Sequence, residues 1–236
     1  MNTYDIAIRL TDGSRKTMTV RATTANAAER MVRERYPVRY RETESIQIKN
    51  KLKMEKGKKL MKIEDIRELC KEAHENAVRH GFWNEEHDIR HYLMLVITEL
   101  AEAVQAYRKN RFADRNEYEK LVKERGCAED TAFLLSVKVT FEDEMADACI
   151  RLMDLTGRFD VELPTDIKII RTEGEDITVT LFKAIFFMHN AICRDAGALV
   201  MYLIRLSEAL GIDIEWHIRQ KMAYNVSRPY LHGNKF

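Results

Sequence analysis

Two pairs of acids carry the chemistry that can be read directly from this chain: Glu99 with Glu102, and Glu144 with Asp147. Glu99-Leu-Ala-Glu102 lies inside LMLVITELAEAVQAY (93–107), which has no glycine or proline and is apolar over most of a helical circumference. Residues three apart share a helix face, with Cβ atoms about 5–6 Å apart. Glu144-Met-Ala-Asp147 repeats the spacing inside FEDEMADACIRLMDL, a second helical pattern. Like charges buried side by side are costly unless a cation neutralises them. One such pair alone would read as surface charge on an amphipathic helix. Two pairs, set in the most apolar helices of the chain, read instead as an oxygen-rich site for Mg²⁺, with Mn²⁺ as a substitute.

A second group collects in the tail, SRPYLHGNKF and the helix before it. Lys221 and Asn225 stand at i, i+4 on one face, and Arg228 follows just before Pro229. Lysine, an amide and arginine near an acidic metal cluster complement a polyphosphate. Cations at a helix C-terminus are also favoured by the dipole alone. His74 falls on the apolar face of a helix expected over 63–80, where a lone histidine is ordinarily a satisfied core residue. Trp83, in the loop GFWNEEHD, suits either a core anchor or a platform for a base. Arg108, Lys109 and Arg111 could reach phosphates but read better as a solvated face.

The elements that must position these groups follow from periodicity. Residues 1–50 alternate with period two in YDIAIRL, RKTMTVRA and SIQIK, with a DGS turn and a short helix stopped by Pro37. That pattern is a small ββαβ accessory module. Residues 51–62 are lysine-rich and read as an exposed linker, with no aromatic residue for a base to stack on. From 63 to 236 the chain is mainly α: helices over 63–80 (stopped by Gly81), 93–109, 139–158, 180–193, 196–210 and 213–225. The segment 110–138 reads as partly helical and exposed, and 159–179 as irregular with a short hairpin around EGED. A net charge of +1 gives no overall pull toward nucleic acid or an anionic membrane. No apolar run spans a bilayer and the N-terminus lacks a signal-peptide core, so a cytoplasmic protein with four reduced cysteines is expected.

The residues from about 63 to 236 resemble the MazG-like, all-α nucleoside triphosphate pyrophosphohydrolases, relatives of dimeric dUTPases and dCTP pyrophosphatases. The resemblance rests on ExxE and ExxD, here Glu99–Glu102 and Glu144–Asp147, and on the ending KMAYNVSRPYLHGNKF. It implies a helical bundle, a homodimer or higher homo-oligomer, and Mg²⁺-dependent hydrolysis of a nucleoside triphosphate to monophosphate and pyrophosphate. All four acids would be catalytic metal ligands, and Lys221, Asn225 and Arg228 would hold the polyphosphate. His74 and Trp83 match residues that line the base pocket of the dCTP-hydrolysing branch. Two features depart from that pattern: the gap between the acidic pairs is long, and Arg151 stands where that branch has an aromatic. Two other readings stand beside this one. His87-Asp88 prompts an HD-type phosphohydrolase, and a catalytically silent helical bundle that senses nucleotides or binds partners would share the same acids.

Overall fold

The period-two alternation near the N-terminus is strand in the structure, a computed structural model. It describes residues 2–22, 25–35, 40–48, 60–169, 171, 174–189 and 195–233. The chain divides into two units, Met1–Lys56 with Thr172–Asp176, and Gly57–Arg171 with Ile177–Phe236. In the first, β1 (Asn2–Leu10) and β2 (Arg15–Ala22) form an antiparallel hairpin. Its turn is closed by Asp12, whose Oδ1 accepts from Ser14 N at 2.9 Å, while Gly13 takes a φ of 81°. Helix α1 (Ala25–Arg35) follows, and β3 (Tyr40–Ile48) pairs antiparallel with β1, giving the sheet order β2-β1-β3. Ile6, Ile8 and Leu10 alternate into the buried face, and Val32 of α1 is buried too. The element order is the ββαβ expected.

Most of the lysine-rich linker lies outside the described residues. At its end the expectation of exposure fails: Met61 is buried, its N–H donating to Glu208 Oε1 at 2.8 Å and its carbonyl accepting from Arg205 at 3.1 Å.

The second unit is helical among the described residues: α2 (Ile63–Arg79), α3 (Ile89–Arg108), α4 (Arg115–Lys123), α5 (Glu129–Ser136), α6 (Phe141–Phe159), α7 (Ile177–His189), α8 (Ala196–Ala209) and α9 (Ile214–Val226). Helix α2 stops where expected, with Gly81 at φ 82°. Helix α3 starts four residues before the apolar run because Asp88 caps it, accepting from Arg90 N at 2.9 Å. Of the two acid-bearing helices, α6 is the central one, packed against α2, α3, α8 and α9. Its expected stripe of Phe141, Met145, Ala148, Leu152 and Leu155 is buried, and Cys149 and Met153 are buried beside it. Each large apolar side chain so buried contributes about 1.5–3 kcal/mol. Gly157 lets α2 approach: a Cβ there would meet the Cys70 carbonyl at 2.3 Å.

The segment 110–138 differs from its expectation. Its helices α4 and α5 bury Tyr118, Leu121, Ala132, Phe133 and Val137 in a small core of their own, against Trp216 and Tyr224 of α9. Tyr118 OH also donates to Gln220 Oε1 at 2.6 Å. Two helices of nine and eight residues are too short to show a clear period, so their apolar residues read as scattered. Residues 161–169 have no regular structure, the EGED hairpin falls partly outside the described residues, and α7 begins at Ile177. The thiols of Cys70, Cys127 and Cys149 are free, and Cys193 lies outside the described residues. Among the described residues no helix is long and apolar enough to cross a membrane.

Candidate active site

The acidic pairs meet in one cavity of about 610 Å³, walled by α3 and α6 and by the ends of α2 and α9. That is the size range of small-molecule sites. One ligand oxygen from each of Glu99, Glu144 and Asp147 lies within 4.8 Å of the others. Glu99 is buried because it continues the α3 stripe of Leu93, Val96, Leu100 and Ala103. Glu102 lines the same cavity but is exposed. Three residues turn a helix by about 300°, so a pair at the edge of the apolar face splits, one member inward and one toward solvent.

Burial and mutual repulsion act on these acids together. Glu144 is pushed up to about 8, first by burial, then by Asp147 and Asp143. Glu99 is raised by burial, with Asp147 and Glu102 adding and Arg151 opposing. Arg151 Nε donates to Glu99 Oε1 at 2.6 Å, so the residue in the departing position supplies a cation to the cluster.

Lys221 belongs to the cluster's interior. Only 3% exposed, it reaches Asp147 Oδ2 at 2.5 Å and both oxygens of Asp143 at 3.1 Å. Burial alone would lower its affinity for a proton, but Asp147 and Asp143 outweigh that and hold the ammonium above its ordinary range. The α9 face that carries it inward is the buried row Ile214, Ile218, Lys221 and Asn225. Lys221 lines the cavity, as expected of a residue near the ligand, and in this structure its ammonium is paired with two aspartates.

Asp143, absent from the sequence-based site, is 1% exposed and raised to about 6 by burial and by Asp147, with Lys221 opposing. Its signal was the cap spacing of Thr140 and Asp143 at the start of α6. Thr140 Oγ1 accepts from Asp143 N, and Asp143 Oδ2 accepts from Val139 N at 2.9 Å. Val139 has a φ of 62°, a region β-branched residues rarely enter, and it lines the cavity.

Asn225 and Arg228 both line the cavity. Asn225 is buried with its Oδ1 unbonded, and Arg228 Nη2 donates to the His232 carbonyl at 3.0 Å. The chain after Arg228 doubles back along the end of α2, where Leu231 N donates to the His80 carbonyl at 2.9 Å. Gly81 makes room for this return, since a Cβ there would strike the Tyr230 ring. Arg108, Lys109 and Arg111 are exposed, and the cavity wall does not include them.

His74 and Trp83 come together, but behind the wall rather than on it. The cavity lining contains Asp154 and Tyr92 instead. His74 Nδ1 and Trp83 Nε1 each lie 2.8 Å from Asp154 Oδ1, donating to one carboxylate oxygen. Trp83 stacks on Tyr92, ring centroids 4.6 Å apart and planes 21° from parallel. The polar contacts of His74 and Trp83 thus go to Asp154, and neither ring is part of the cavity wall. Asp88, the acid of the HD dipeptide, is an exposed helix cap forked with Arg90, and the metal-type group found among the described residues contains no histidine.

The donor set suits a divalent cation with oxygen ligands. Four carboxylates (Glu99, Asp143, Glu144, Asp147) face two protein cations, Arg151 and Lys221, and Glu144 has no ion pair among the described residues. No family model, no curated protein and no solved structure matches this chain.

Proposed function

We propose that this protein hydrolyses a nucleoside triphosphate to the monophosphate and pyrophosphate. The observation that carries the reading is the convergence of Glu99, Glu144 and Asp147 from two helices on a nucleotide-sized cavity. Those three would hold Mg²⁺, with Glu102 completing the acidic wall. The ion would polarise phosphate oxygens and lower the pKa of a water. Arg228 and the amide of Asn225, which line the same cavity, bind the phosphate chain, and Lys221 holds the two aspartates in place. Tyr92 offers an aromatic surface for the base. Association of two copies through α7 is part of the proposal: Val179, Phe182 and Phe186, spaced three and four apart, are 44%, 66% and 62% exposed.

A pyrophosphate-release screen across ribo- and deoxynucleoside triphosphates with Mg²⁺ tests the reading. Release from at least one triphosphate, abolished by EDTA, is expected; silence across the panel would overturn it. A second reading, a bundle that binds nucleotide without turnover, is favoured by one observation. Arg151 and Lys221 already occupy two of the three would-be ligands. Tight nucleotide binding without pyrophosphate release would select it.

A further inference from the structure

We infer that Asp154 reads the base: the carboxylate accepts a hydrogen bond from the exocyclic amino group of cytosine or adenine and disfavours uracil and thymine. This deepens the proposed nucleotide reading and rests on it for the identity of the ligand. Asp154 lines the cavity and is 16% exposed, on the face of α6 that carries Asp147 two turns earlier. Seven residues of helix separate the two by about 10 Å. That is comparable to the span from an α-phosphate, held at the acidic trio, to the far edge of its base. Both donors that reach Asp154 among the described residues, His74 Nδ1 and Trp83 Nε1, converge on Oδ1. Oδ2 therefore keeps its capacity to accept, and the two bonds fix its direction.

The neighbouring surface selects a base over a sugar. Tyr92 also lines the cavity and is backed by Trp83, so its ring is held rigidly for stacking. A carboxylate oxygen at a base edge attracts an amino group and repels the O4 carbonyl that uracil and thymine present in its place. His74 and Trp83 act here as positioning residues: they aim the carboxylate without touching the ligand.

The test compares cytidine with uridine nucleotides, in two assays. In pyrophosphate release with Mg²⁺, the wild-type kcat/KM should favour dCTP over dUTP by at least about tenfold, the worth of a charge-assisted hydrogen bond. Asp154→Asn keeps an oxygen for His74 and Trp83 but can turn an amide donor to the base, so the preference should collapse or reverse. Calorimetric binding of CMP against UMP, without metal, reads the same contact when no triphosphate is turned over. That arm separates failure of the base assignment from failure of the hydrolase reading. A wild-type preference for dUTP, an unchanged ratio in Asp154→Asn, or absence of both turnover and CMP binding would overturn the inference. A variant that instead shifts the CTP-to-dCTP ratio would place Asp154 on the sugar and overturn it too.

Discussion

Lys221 shows how much of this site depends on single charges. Its ammonium satisfies Asp143 and Asp147 at once, and all but a few per cent of its surface is inaccessible. Lys221→Ala should destabilise the fold by about 3–5 kcal/mol, the cost of leaving buried charge without its partner. Urea denaturation would show it, and a change under 1 kcal/mol would contradict the buried pairing. Asp147→Asn should cut pyrophosphate release at least about a hundredfold while leaving the helical circular dichroism intact; near-normal turnover would remove Asp147 from the chemistry. Glu144 makes a prediction in pH. Its carboxyl titrates near 8 in the folded chain against 4.5 ordinarily, so the native state holds a proton that the unfolded state releases. That contribution to stability is complete below 4.5 and is lost as pH rises toward 8. Metal-free protein should therefore melt at falling temperature across that window. Saturating Mg²⁺ should flatten the slope, because it holds the ionised form. A metal-free melting temperature that rises from pH 5 to 8 would count against the protonated acid.

At the scale of elements, the start of α6 concentrates the strain and the capping of the site. Thr140 caps the helix through Asp143 N, and the Asp143 carboxylate accepts from Val139 N and also receives Lys221 from α9. Val139, immediately before, is held in the left-handed region and is 44% exposed. Val139→Gly should relieve about 1–2 kcal/mol of that strain, offset by the greater flexibility of glycine in the unfolded chain. A rise of a few degrees in melting temperature is expected, since each kcal/mol is worth about 2–4 °C at this chain length. A fall would mean that the valine side chain contributes packing that outweighs its backbone cost. The α4–α5 segment belongs to the same assembly. Phe133 lies under Lys221, its ring centroid 5.7 Å from Nζ, and stacks at 5.0 Å on Tyr224 of α9. The segment that looked peripheral thus buttresses the helix that delivers the cation.

For the whole molecule, the apolar face on α7 bears on assembly. Phe182→Asp with Phe186→Asp should leave the helical content unchanged and shift sedimentation from dimer to monomer at micromolar concentration. A wild-type monomer would end the proposal that α7 is the contact. The residues that line the cavity, and the helices that carry them, belong to one unit, Gly57–Arg171 with Ile177–Phe236.

Helix positions and the two acid-bearing faces were legible along the chain because both are local. Apolar residues at helical spacing placed α2, α3, α6, α8 and α9 to within a few residues, and acids three apart marked both helices of the cluster. Only the tertiary structure decided which side chains work together. The 60° by which three residues fall short of a full turn put Glu99 inside and Glu102 outside, and no local pattern announces where a buried face ends. Lys221 meets Asp143 across 78 positions, and His74 meets Asp154 across 80. Those pairings give Lys221 its two aspartate partners and set His74 against Asp154. They depend on how α9 and α2 cross α6, which is set by packing of the whole core rather than by spacing within any one helix.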